Sequence, residues 1–147
     1  MNEPPPHDFD AERSLLSIAI NDPVKGLDRV VLAMNPEWFY REAFRTIFAA
    51  VVDMRNKSEP IDQISLGNHL ASHRKLTKAG GKVGLAEIVS VQAMAHHVEP
   101  LVRSLEELAI RRRLKALGQS LSASASDMGS DIGEVKNETI HALATAK

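Results

Sequence analysis

The chain contains no cysteine, so disulfides and thiolate chemistry are both excluded. It has no apolar run near the ~18 residues that a membrane-spanning helix requires. Alternating apolar and polar residues flanked by hairpin turns are missing too, so strands are not expected. There is no excess of charge: the formal net charge is −1, whereas a dedicated nucleic-acid binder is usually strongly basic. The opening MNEPPPHDFD has neither the basic start nor the apolar stretch of a secretory signal. A cytoplasmic protein is the simplest expectation.

What remains is helical. Of the 147 residues, 44% are apolar, enough for one core. Residues 1–7 read as a flexible or loosely docked, proline-rich tail. Asp8 is placed to cap a helix, with Asp10 and Glu12 favourable to its dipole. That helix would bury Ala11, Leu15, Ile18 and Ala19 and end at Asn21-Asp22-Pro23. A short helix carrying Leu27, Val30 and Val31 follows, and Asn35-Pro36 opens the next element. Five of the six aromatics fall between positions 38 and 48: Trp38, Phe39, Tyr40, Phe44 and Phe48. With Ile47 and Val51 they mark the expected centre of the core. After the turn at Pro60, Ile61, Ile64, Leu66 and Leu70 outline a short helix, and Val83 to Val89 outline another.

From Val98 a long helix is predicted to run toward Ser124. The stretch SLSASASDMGSD should break it, because serine and glycine compete poorly in helix interiors. Asp131 and Glu134 suit the start of a last helix bearing Ile132, Val135, Ile140 and Leu143. The expected fold is all-α: a compact helical bundle over residues 8–97, then a two-helix hairpin over 98–147.

Catalytic and ligand motifs fail on spacing. TKAGGKVGL looks like a phosphate loop, but G-x-x-x-x-G-K-[ST] would need glycine at Leu76 and a hydroxyl at Val83. Gly80 fits better as the left-handed end of the preceding helix. His69 and His73 share a metal-pair spacing, yet the zinc-protease glutamate is replaced by Leu70, and Asp62 and Glu87 sit at arbitrary distances. They read as a solvated helix face, as His96-His97 reads as loop. Glu106 and Glu107 are adjacent and diverge on a helix. No acid, base, nucleophile or metal set emerges, and no cofactor is expected.

The long helix is more informative. Leu101, Leu105 and Leu108 keep one helical phase, and Ile110, Leu114, Leu117 and Leu121 keep another. One stretch can pack on the bundle while the other meets a neighbour. Between them lie Arg111, Arg112, Arg113 and Lys115, a candidate contact for a phosphate backbone or an acidic partner.

The order of signals resembles the N-terminal domain of DnaB-type replicative DNA helicases, nearly end to end. The matching stretches are PPHDFDAERSLL, PEWFYREAFRTIF, EPIDQISLGNHL, KAGGKVGLAEI and LVRSLEELAIRRRLKAL. Gly84 stands where the family usually has an aromatic, and AHHVEPLV lacks the family's asparagine and tyrosine. The resemblance implies a collar of a ring helicase that pairs with neighbouring subunits, in dimers or hexamers, and docks primase and a helicase loader. ATP and magnesium would belong to a motor domain that these residues do not include, a linker to it beginning near Lys147. By this analogy Leu114, Leu117, Leu121, Ile132, Val135 and Ile140 are the interface residues, and DNA contact is indirect or weak. Two other readings stay open: a small helical nucleic-acid-binding protein using Arg111 to Lys115, and a stand-alone inhibitor that binds a helicase.

Overall fold

The computed structural model describes residues 3–146. Among the described residues there are seven α-helices, two short 3-10 turns and no strand. The helices are α1 (Phe9–Asn21), α2 (Leu27–Ala33), α3 (Glu42–Asn56), α4 (Gln63–Ser72), α5 (Gly81–Val89), α6 (Val98–Ser126) and α7 (Ile132–Thr145). The 3-10 turns are Pro36–Trp38 and Ala95–His97.

Helix α1 is the axis of the bundle. It packs against α2, α3, α5 and α6, and Leu15, Leu16, Ile18 and Ala19 are fully enclosed. Asp8 caps it, accepting the Ala11 N–H at 3.0 Å. The aromatic run supplies the other half of the core. Phe39, Phe44 and Phe48 are buried, and the Phe39 and Phe48 rings lie 5.2 Å apart. Trp38 and Tyr40 stay at the boundary. Gly26 lets α2 turn back tightly on α1, since a Cβ there would lie 2.5 Å from Ile18 Cγ2 and 2.8 Å from the Ile18 carbonyl oxygen.

Three details differ from the sequence-based expectations. Ile64 faces outward, 76% exposed, while Ile61 and Leu66 take the buried positions. Helix α4 is ended by Arg74, not by Gly80. Arg74 adopts φ 58°, and the Lys75 N–H reaches back to the Leu70 carbonyl at 2.8 Å, closing the helix in a Schellman motif. Gly80 instead closes the following turn and precedes α5 with φ 97°. The serine-rich stretch does end α6: the helix runs to Ser126, two residues past Ser124, and stops at Asp127 inside SLSASASDMGSD.

Helix α6 has a buried seam of Val98, Val102, Leu105 and Ala109, with Leu101 and Leu108 flanking it. Beyond Ala109 it leaves the bundle and pairs with α7. No residue of α7 is buried.

Candidate assembly and docking surface

The surface begins where α6 leaves the core. One turn beyond Ala109 the inward position is Arg112. Its guanidinium donates to the carbonyl oxygens of Pro6 at 2.9 Å and Trp38 at 3.0 Å and lies 5.3 Å from the Tyr40 ring centre. Burial pulls the pKa of this guanidinium down, while the negative charge of Glu12 pushes it up.

Glu12 is the counterpart on α1, fully buried. Its Oε1 accepts the N–H groups of Tyr40 at 3.0 Å and Arg41 at 3.2 Å. These amides belong to the extended stretch before α3 and have no helical partner, so a buried acceptor satisfies them. Arg45 completes the arrangement by donating to the carbonyls of Phe39 and Tyr40. The second oxygen of Glu12 is buried without a hydrogen bond. Burial raises the pKa of this carboxyl, against the pull of the Arg41 and Tyr40 amides and of the charges of Arg112 and His7.

The N-terminal tail is docked over residues 3–7. His7 stacks against Phe9 and Tyr40 at 4.4 and 4.9 Å, Pro6 accepts from Arg112, and Lys115 donates to the Glu3 carbonyl at 3.3 Å. Met1 and Asn2 lie outside the described residues. The basic cluster is therefore divided. Arg112 faces inward, and Lys115 holds the tail. Arg111 is paired with Glu107 at 2.8 Å, one helical turn back. Arg113 is exposed and has an interaction of its own.

The apolar hairpin residues share the remainder of α6 and α7. Leu114 is 43% exposed, Leu121 38%, Ile132 57% and Ile140 63%. Leu117 and Val135 are half-buried. Leu143 and, at the hairpin turn, Met128 extend the exposed apolar set. Sequence reasoning placed Leu143 on the last helix without assigning it to this surface. It also treated Glu12 as a dipole partner only, and Ala11-Glu12 inside PPHDFDAERSLL was the available signal. In the glycine loop, Gly80 and Gly81 both have positive φ and lead into α5 from a turn, not from a strand.

No helix among the described residues is long and apolar enough to cross a membrane. The family described as DnaB-like helicase N terminal domain matches residues 4–107. The chain is 31% identical over 118 residues to the replicative DNA helicase DnaB of Geobacillus stearothermophilus, covering 80% of this chain and 26% of that protein. It is 27% identical over 146 residues to the replicative DNA helicase DnaB of Treponema pallidum, covering 97% of this chain and 33% of that protein. It therefore spans about a quarter to a third of the length of these relatives. The crystal structure of the N-terminal domain of DnaB helicase from Mycobacterium tuberculosis superposes with a TM-score of 0.85 and 25% identity, covering 96% of this chain and 99% of that one. The matched residues and the close superposition agree, and the chain belongs to the DnaB-like helicase N-terminal domain family.

Proposed function

We propose that this domain is an assembly and docking module of a replicative helicase and carries out no catalysis itself. The hairpin supports this reading. Helix α7 buries none of its residues, yet Ile132, Ile140 and Leu143 are exposed on it, facing the same solvent as Leu114 and Leu121 of α6. Leu114, Leu117 and Leu121 keep the three-and-four spacing of a helix-packing seam. Such a hairpin gains its missing burial from a second copy of the chain, in a dimer or a hexameric collar. Primase and a helicase loader then dock on the collar in the cytoplasm, while ATP hydrolysis on magnesium belongs to a motor domain outside these residues.

Sedimentation of the 147-residue chain tests the assembly step. Dimers or larger species should form as concentration rises. Leu121→Asp combined with Ile140→Asp should leave monomers with unchanged circular dichroism. A chain that stays monomeric into the millimolar range would defeat the reading. Titration with the cognate primase tests docking separately, and a flat titration would remove primase from the proposal.

The nucleic-acid reading has less behind it. Arg112 faces the core, Arg111 pairs with Glu107, and Lys115 holds residue 3. Direct DNA contact through this cluster would be weak, and a salt-independent null result with single-stranded DNA is expected.

A further inference from the structure

Far along the chain from the hairpin, α3 and α4 bring Asp53 to the His69 and His73 pair. Asp53 lies on the last turns of α3, His69 on the last turn of α4, and His73 at the C-terminal cap of α4. One ligand atom from each lies within 4.8 Å of the others. From these side chains the geometry points to a binding site for a single divalent transition-metal ion of the zinc class, with Asp53, His69 and His73 as its protein ligands.

The hydrogen bonding suits this role. The Nδ1 of His73 lies 2.8 Å from the His69 carbonyl oxygen. A carbonyl only accepts, so Nδ1 carries the proton and Nε2 keeps its lone pair. That is the tautomer a metal-bound imidazole needs, with its other nitrogen held by a carbonyl. The Nε2 of His69 faces Asp53 Oδ2 at 3.4 Å, and its Nδ1 faces Glu59 Oε2 at 3.9 Å. Glu59 thereby lies on the side toward which His69 would point its Nδ1–H when Nε2 is a ligand. The two imidazole rings already lie 4.3 Å apart.

Tetrahedral zinc with bonds near 2.1 Å wants its ligand atoms about 3.4 Å apart. Modest side-chain rotation achieves this, since His73 is exposed and Asp53 and His69 are only half-buried. Two imidazoles and one carboxylate favour zinc, cobalt or nickel over magnesium or calcium. Three protein ligands leave a fourth position for water. His69, His73 and Asp53 all line a cleft of about 410 Å³, which also holds Arg45, Lys75 and Lys78. Those cations, and Lys57 bonded to Asp53 at 3.1 Å, oppose a second positive charge. The site is therefore expected to be of moderate affinity. A bound ion would tie the end of α3 to the end of α4.

The test uses tag-free chain titrated with Co²⁺ and with Zn²⁺, followed by visible absorption and by thermal melting. One equivalent of Co²⁺ should produce the visible bands of a low-coordinate site, Zn²⁺ should displace it, and Tm should rise with metal. His73→Gln, at an exposed cap, should fold normally and weaken binding by about tenfold or more, in the range typical of a disturbed metal site. Asp53→Asn should do the same. His96→Gln with His97→Gln, the other adjacent pair, should change nothing. Absence of the Co²⁺ bands, or binding that survives His73→Gln or is lost in the His96/His97 variant, would overturn the assignment.

Discussion

The guanidinium of Arg112, on α6, lies over the ring of Tyr40, 5.3 Å from its centre, and joins the base of the hairpin to the segment before α3. The same group donates to Pro6 and Trp38. Lysine has one compact donor head and cannot fork between two carbonyls while stacking on a ring. Arg112→Lys should lower unfolding free energy by about 1–2 kcal/mol, and Arg112→Ala by about 2–3 kcal/mol, as for hydrogen bonds to a charged group. Urea denaturation measures both. An alanine variant as stable as the parent would show that these contacts carry no net stabilisation.

Glu12 gives the domain a pH dependence of known sign. Burial raises its pKa in the fold, so the folded chain keeps this proton to higher pH than the unfolded chain does. The stability linked to this proton is full below the ordinary glutamate pKa, ~4.3. It declines as pH rises through the raised folded value and is flat above it. Glu12→Gln cannot titrate. The stability difference, parent minus Glu12→Gln, should therefore fall with rising pH across that window. A difference that rises with pH there would contradict the buried carboxyl. Glu12→Ala, which strips the Tyr40 and Arg41 amides of their acceptor, should cost about 2–4 kcal/mol at neutral pH.

Two leucines on one helix should behave differently. Leu105 is 1% exposed and Leu121 is 38% exposed. In dilute monomer, Leu105→Ala should cost about 2–5 kcal/mol, the usual range for a core truncation. Leu121→Ala should stay within about 0.5 kcal/mol, as surface changes do. At concentrations where the chain associates, Leu121→Ala should instead shift the assembly equilibrium. Denaturation at two protein concentrations separates the effects, and equal losses in dilute solution would mean Leu121 is enclosed within one chain.

Gly26 is required by space. Its absent side chain would meet Ile18 at both Cγ2 and the carbonyl oxygen. The oxygen belongs to the backbone and cannot swing aside, so Gly26→Ala should cost about 1–3 kcal/mol. Calorimetry would register this as a lower Tm. An unchanged Tm would mean that α2 can lift from α1 freely.

The helical period of the apolar residues was sufficient to locate every helix, and the cap residues Asp8, Asn35 and Asp131 mark element starts directly. Leu15, Ile18, Phe44 and Phe48 were legible as core because their spacing allows one face only. What escaped reading depends on long-range partners. Arg112 looks like a member of a basic run until Tyr40, Trp38 and Pro6 are placed around it. Asp53 looks like one more surface acid until α3 and α4 are packed side by side. Arg74 ends α4 in a left-handed conformation that favours glycine, so local chemistry pointed to Gly80 instead.

Arg112 also acts as a fulcrum. It is the last inward-held residue of α6, and from there to Ser126 the helix extends about 21 Å, at 1.5 Å per residue, with little of it enclosed. Such an arm converts angle into displacement: a tilt of about 10° at its root moves the tip by about 4 Å. The root is gripped by the carbonyls of Pro6 and Trp38 and the ring of Tyr40, so a small rearrangement of the N-terminal segment is magnified at the far end of the hairpin. The segment that looks most dispensable in the sequence thus grips the root of the arm.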